Sequence, residues 1–364
     1  MRLMPLDFAF TPNPAPRPQD RVEQVLADPG FGAHFTDHMA VATWTRVDGW
    51  RDAAIKPYAP FQIDPAGAVL HYAQEVFEGL KAYRHADDSI HLFRPEANAR
   101  RIQASAARMV LPRLEVEDFL AAVNGLVAAD ARWVPSSEGE RSLYLRPFMF
   151  ADEVFLGVRA AERVTFCVIA SPAGPYFAGG VKPVDIWVSD TYARAGVGGT
   201  GAAKCGGNYA ASLIAQYEGY EHGCSQVLFI EAAGRDRLEE LGGMNLFLVM
   251  ADGRLVTPAL TGTILEGVTR SSILTLAPEL GLKPEERRIA PEEFFEGLAS
   301  GEIVEAFSCG TAAVVTPIGG FKSERGEWRL PANGLGKTLA LRNAVLDIQY
   351  GRVPDTHGWV TRVV

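Results

Sequence analysis

Between residues 171 and 183 the chain reads Ser171-Pro-Ala-Gly-Pro-Tyr-Phe-Ala-Gly-Gly-Val-Lys-Pro183, with proline or glycine at six of thirteen positions. Proline fixes its own φ and has no N–H to give a ladder, and glycine loses the most backbone freedom on ordering. Neither a helix nor a central strand runs comfortably through such a stretch, which reads as a connecting loop. The chain is therefore expected to fold in two parts, an N-terminal domain over 1–172, an interdomain loop over 173–184 and a C-terminal domain over 185–364. A length of 364 residues suits two domains.

Each half mixes the two hydrophobic periods. Segments 41–45, 89–93, 142–150 and 164–170 are rich in β-branched and aromatic residues and predict strands, while 96–109 and 116–129 carry apolar residues at helical spacing. After the loop, strands are predicted at 185–188, 226–230, 244–250, 303–307 and 312–316. Helices are predicted at 209–219, 268–277, 291–299 and 336–350. Strands interrupted irregularly by helices point to an α+β, mixed α/β fold rather than a strictly alternating parallel sheet.

Hydrophobic residues make up 48% and charged residues 22%, ample material for a globular core. A net charge of -9 and the lack of a basic run exclude a nucleic-acid partner. No segment approaches the roughly 18 apolar residues of a membrane span. Asp7 and then Pro12, Pro14, Pro16 and Pro18 stand where a signal peptide would be apolar, so a cytoplasmic location is expected. Cys167, Cys205, Cys224 and Cys309 are too scattered for a CxxC pair, and His34 and His38 lack the zincin glutamate between them, so no metal site is expected.

Two nucleotide motifs are imitated. Gly196-Val-Gly-Gly-Thr-Gly201 has dinucleotide-fingerprint spacing but no clean strand before it, and Gly336-Lys-Thr338 has Pro331 where a phosphate loop needs its first glycine. No G-x-S-x-G elbow is present either. Lys204 is different. It stands in Val197-Gly-Gly-Thr-Gly-Ala-Ala-Lys-Cys-Gly-Gly-Asn-Tyr209, where small residues let a flat ligand approach closely. A confined ammonium loses its proton readily, and a neutral amine forms Schiff bases. That is the chemistry of pyridoxal phosphate, which further needs an acid for the pyridine nitrogen, a donor for the ring oxygen and a cup for the phosphate. Glu240 precedes a glycine pair, Gly267-Val268-Thr269 opens a helix whose N-terminus suits an anion, Ser308-Cys-Gly-Thr311 offers a small turn, and the arginines of 94–101 suit bidentate phosphate contacts.

Taken in order, Phe35-Thr-Asp-His-Met39, Tyr72, Phe77-Glu-Gly-Leu-Lys-Ala-Tyr83, Phe93-Arg-Pro95, Ser142-Leu-Tyr-Leu-Arg-Pro147, Gly174-Pro-Tyr-Phe177, Lys204, Gly206-Gly-Asn-Tyr209, Glu240-Leu-Gly-Gly-Met-Asn245, Gly267-Val268, Gly310-Thr-Ala312 and Asp347-Ile-Gln-Tyr-Gly351 resemble the branched-chain amino acid aminotransferases of pyridoxal phosphate fold type IV. The resemblance covers most of the chain. It implies a smaller N-terminal α/β domain, a larger C-terminal pseudo-barrel domain, and pyridoxal 5′-phosphate at the interface between them. It makes Lys204 the Schiff-base lysine and Glu240 the partner of the pyridine nitrogen. Tyr209 donates to the ring oxygen, and Arg101, Gly267, Val268, Thr269 and Thr311 hold the phosphate, with Arg194 nearby and Leu265 on the ring. It further implies a substrate pocket of Tyr72, Phe77, Tyr144, Arg146 and Tyr176, with Thr311 and Ala312 at the substrate carboxylate. Phe31 also approaches, as does Val158 from the neighbouring subunit of a homodimer. The implied reaction moves an amino group between leucine, isoleucine or valine and 2-oxoglutarate. D-amino acid aminotransferase, aminodeoxychorismate lyase and a non-catalytic cofactor-binding protein are the alternatives. Two departures from the family pattern stand out: Ala313 and Thr316 occupy the positions of a redox CxxC, and Gly243 stands where some members have threonine.

Overall fold

The computed structural model describes residues 5–175, 180–331 and 335–364. It divides into two compact units. The first holds the described residues of 1–178 and takes back Ala203–Gly206 and Asp347–Val364; the second holds those of 179–202 and 207–346. With its two returning segments the first unit is the larger of the two. Composition marks where a chain leaves a unit, but a return is written in burial: Ala203 and Cys205 are 2% and 1% exposed within the first unit's core.

The first unit runs β1 (Ala9–Phe10), α1 (Gln19–Ala27), β2 (His38–Thr45), β3 (Gly49–Pro57), α2 (Ala68–Tyr72), β4 (Glu75–Phe77), β5 (Leu80–Arg84), β6 (Ile90–Phe93), α3 (Pro95–Arg108), α4 (Val116–Ala129), β7 (Ser142–Ala151) and β8 (Arg163–Ala173). Its sheet has the order β1-β3-β2-β8-β7-β5-β6, with β4 also on β7 and a late strand, Val360–Arg362, on β6. All pairs except β1 with β3 are antiparallel. On α4, Phe119, Ala122, Val123, Leu126 and Val127 repeat at helical spacing and are all buried. Burying side chains of the size of Phe119, Val123 or Leu126 stabilises by about 1.5–3 kcal/mol each. In β7 the period is two: Leu143, Leu145, Pro147 and Met149 are buried, while Tyr144, Arg146 and Phe148 face away, half-covered. The predicted strand 164–170 continues to Ala173 through Pro172. Proline is tolerated there because β2 pairs with β8 only as far as Val168, so the side of Pro172 without an N–H faces no strand.

The second unit runs β9 (Val184–Ser189), α5 (Gly206–Glu221), β10 (Gln226–Ile230), β11 (Leu238–Leu241), β12 (Asn245–Met250), β13 (Arg254–Pro258), α6 (Val268–Leu276), β14 (Lys283–Arg287), α7 (Pro291–Ser300), β15 (Ile303–Gly310), β16 (Val314–Ser323), β17 (Gly326–Arg329) and α8 (Gly336–Gln349). The sheet order is β11-β10-β9-β16-β15-β12-β13-β14, with β17 on β16. Here β9 is parallel to both neighbours and β13 to β14, while the other pairs are antiparallel. The mixed sheet is the expected fold class. The start of α8 disposes of the phosphate-loop imitation, because the N–H groups of Lys337 and Thr338 donate to the Glu305 carboxylate at 3.0 and 2.7 Å. The chain's own anion fills that helix N-terminus.

Candidate active site

In the first unit the functional side chains gather around Lys204. The segment carrying it is pinned on both sides: Lys204 donates its N–H to Ser105 Oγ at 2.9 Å, its carbonyl accepts from Phe77 N–H at 2.9 Å, and Gly206 N–H donates to Glu75 Oε1. Its ammonium lies 4.7 Å from the centroid of the Phe77 ring. Burial, reinforced by the Arg101 and Arg146 charges and opposed by Glu78 and Tyr144, brings the Lys204 pKa down from 10.5 to about 8.

Asn98, Arg101 and Ser105 are three and four residues apart on α3, hence on one helix face. Arg101 grips Glu78 bidentately, Nε to Oε1 at 2.6 Å and Nη2 to Oε2 at 2.8 Å. Asn98 Nδ2 and Gly79 N–H add donors to Oε2 at 2.8 and 3.1 Å. Burial alone would raise the Glu78 carboxyl, but Arg101, Lys204 and Asn98 outweigh it and hold the group below its ordinary value. Glu78 and Asn98 escape sequence reasoning, since a glutamate before glycine reads as a turn residue. The three-and-four spacing in α3 is the one signal that points to Asn98 and Ser105.

The outward face of β7 supplies the rest. Arg146 Nη2 donates to Tyr144 Oη at 3.0 Å, and its guanidinium lies 4.9 Å from the Phe77 ring centroid and 5.4 Å from that of Tyr144. Phe31 meets Tyr144 edge-on at 5.1 Å. Gly79 permits this packing, because a Cβ there would lie 2.1 Å from the Tyr144 hydroxyl. Tyr72 and Val158 do not join the cluster through any hydrogen bond or ring contact among the described residues. Tyr72 donates to the Leu156 carbonyl, and Val158 is 87% exposed. Tyr176 lies outside the described residues.

The second unit brings together a different set. Glu240 sits in β11, not in the turn its glycine pair suggests, and is fully enclosed by donors. Oε1 accepts from Leu265 N–H at 2.8 Å and lies 2.9 Å from Arg194 Nη1 in an ion pair, and Oε2 accepts from Asn245 Nδ2 at 2.9 Å. Arg194 also reaches the carbonyls of Thr263 at 3.0 Å and Gly201 at 3.2 Å. Strand alternation turns Glu239 to the opposite face, where Thr263 Oγ1 donates to it and burial raises its carboxyl. Gly267 leads into α6, and a Cβ there would lie 2.0 Å from Asn245 Oδ1. Val268 and Thr269 are buried in the first turn, and Gly267 at the N-cap has no side chain with which to cap that helix. Tyr209 lies in the first turn of α5 with its ring beside Gly243, whose added Cβ would sit 3.7 Å from Tyr209 Cε1. Thr311 and Ala312 occupy the turn between β15 and β16, half-buried. Asn245 is the residue of this group that sequence reasoning missed.

Comparison with known proteins follows the same lines. Residues 75–320 match the family described as Amino-transferase class IV. The chain is 55% identical over 337 residues to a probable branched-chain-amino-acid aminotransferase of Streptomyces coelicolor, covering 92% of this chain and 93% of that one. It is 51% identical over 363 residues to the branched-chain-amino-acid aminotransferase of Mycolicibacterium smegmatis, covering 99% of both. Among solved structures, the branched-chain aminotransferase of Thermoproteus uzoniensis with norvaline superposes with a TM-score of 0.74 at 26% identity, covering 90% of this chain and all of that one. The branched-chain amino acid aminotransferase of Escherichia coli gives 0.72 at 26% identity, covering 89% of this chain and all of that one. The chain belongs to the class IV aminotransferases and, within them, to the branched-chain-amino-acid aminotransferase family.

Proposed function

We propose that the protein transfers the amino group reversibly between L-leucine, L-isoleucine or L-valine and 2-oxoglutarate, using pyridoxal 5′-phosphate. One observation carries the reading: the Lys204 amine is held at both flanks, seated over Phe77, and brought to a pKa of about 8, where it gives up its proton easily. The residues present fit the cofactor. Lys204 supplies the amine, Glu240 an ionic partner for a ring nitrogen, and Tyr209 a hydroxyl. The α6 N-terminus with Gly267, Thr311 and Arg101 supplies anion contacts. Gly267 lets Asn245, which holds Glu240, pack against the start of α6.

When bound, pyridoxal 5′-phosphate supplies a carbonyl for amine exchange and a ring that withdraws electrons. The chain's own groups do the rest. Lys204 Nζ carries the proton to and from the substrate α-carbon. Arg194 and Asn245 keep Glu240 aimed, and Leu265 would offer an apolar side chain to the ring. Phe31, Phe77 and Tyr144 form apolar walls for a branched side chain, at about 0.8 kcal/mol per buried methylene. Arg146 receives the distal carboxylate of glutamate, and the turn at Thr311 and Ala312 meets the α-carboxylate.

A homodimer belongs to the same proposal. Leu70, Val154, Leu156 and Val158 are 58%, 61%, 62% and 87% exposed around the Tyr72–Leu156 bond, an apolar patch of the kind that marks an interface. We assign the protein to the cytoplasm, a compartment that keeps its four free, buried cysteines reduced. The test is a half-reaction. Addition of L-leucine is expected to convert the bound cofactor's visible absorbance to that of the pyridoxamine form, with D-alanine inert and Lys204→Ala silent. Conversion by D-alanine alone, or turnover by Lys204→Ala, overturns the proposal.

A further inference from the structure

Glu75 shares a strand face with Phe77, since side chains two apart on β4 point the same way. Its Oε1 accepts from Gly206 N–H, two residues beyond Lys204. A Cβ at Gly206 would lie 2.6 Å from that oxygen, so glycine is what allows the approach. Arg146 lies over the same Phe77 ring, gives Nη2 to Tyr144, and keeps a buried Nε without a hydrogen-bond partner among the described residues. Burial raises the Glu75 carboxyl, while Gly206 N–H and the Arg146 charge pull it back. The two side chains attract at a distance, with no closed ion pair between them.

A pocket wall that is cationic conflicts with an apolar substrate, because a leucine side chain would cover the Arg146 charge and leave nothing to answer it. We propose that Glu75 is a specificity-determining residue, the standing counter-charge of Arg146. It answers the cation while a branched apolar side chain occupies the pocket, and it opposes the distal carboxylate of a dicarboxylate that enters instead. The inference rests on Arg146 being the distal-carboxylate site, as proposed above.

Glu75→Gln isolates the charge, because the amide oxygen still accepts from Gly206 N–H. Two unreactive probes, glutarate and 4-methylvalerate, are titrated calorimetrically into the holoenzyme. In E75Q glutarate is expected to bind about fivefold tighter and 4-methylvalerate about twofold weaker, the size of a screened charge–charge effect at the edge of a protein interior. Opposite signs are what a loosened fold does not produce. The ratio of kcat/KM for glutamate over leucine is expected to rise in step. In an Arg146→Met background the same substitution is expected to leave 4-methylvalerate affinity unchanged. A parallel weakening of both probes, or an effect on 4-methylvalerate that persists without Arg146, overturns the inference. Glutarate affinity that survives Arg146→Met alone overturns the assignment of Arg146 and this inference with it.

Discussion

Lys204 shows how a residue acquires chemistry from its surroundings. Its pKa of about 8 lies below the ordinary 10.5, so between those values the unfolded chain holds a proton that the folded chain has released. This residue therefore makes the cofactor-free protein more stable as pH rises through that window, and costs stability below it. Labelling of Lys204 in cofactor-free protein with an amine-selective acylating reagent, read by peptide mass, is expected to be half-maximal near pH 8. Glu78 is the counterweight. Replacing it with methionine leaves Arg101 without its buried partner, which is expected to cost about 3–5 kcal/mol in urea unfolding and to shift the Lys204 labelling profile to lower pH. If the profile stays in place, Glu78 does not set the charge on Lys204. Lys204 was legible because glycines crowd its sequence neighbourhood. Glu78 was not, because its value lies in Arg101 and Asn98, some twenty positions away.

At the level of elements, periodicity carried most of the information. The five-residue apolar face of α4 and the alternation of β7 are written in the order of residues, and the second puts Tyr144 and Arg146 on one face. β14, Lys-Pro-Glu-Glu-Arg over 283–287, is a strand without an apolar residue beyond its proline, held at a sheet edge by parallel pairing with β13. Nothing in its local pattern announces that. β11 was hidden for a related reason: Glu240 stands before a glycine pair that suggests a turn, yet it and Glu239 are buried against partners that arrive from residues 194, 245 and 263–265. The junction of Gly267 with α6 carries a prediction. Gly267→Ala would push a methyl group onto Asn245, so a loss of about 1–3 kcal/mol is expected in thermal or urea unfolding. Because Asn245 holds Glu240, a weaker affinity for pyridoxal 5′-phosphate is expected by spectroscopic titration. Unchanged values on both measures would remove Gly267 from the proposed cofactor site.

For the whole molecule, the exposed Leu156 and Val158 make the assembly testable. Val158→Asp adds a charge to a side chain that is 87% exposed, so the isolated chain tolerates it. In sedimentation it is expected to shift a dimer to monomers and to lower turnover with leucine by about tenfold or more, the scale set by burying an unpaired charge in an interface. A dimer that persists with full turnover removes Val158 from the interface. Residue order was enough to specify the mixed α/β class, most of the helices and strands, the family, and Lys204 with Glu240 as the residues to watch, because these follow from local periodicity and from motifs of contiguous residues. Folding in three dimensions was needed to show that Ala203–Gly206 and the C-terminal segment return to the first unit, that Glu78 answers Arg101, that Arg194 and Asn245 aim Glu240, and that Glu75 stands near Arg146. Those facts join positions far apart in the chain, and what makes each of them matter is the removal of water from charged groups, which only the folded arrangement brings about.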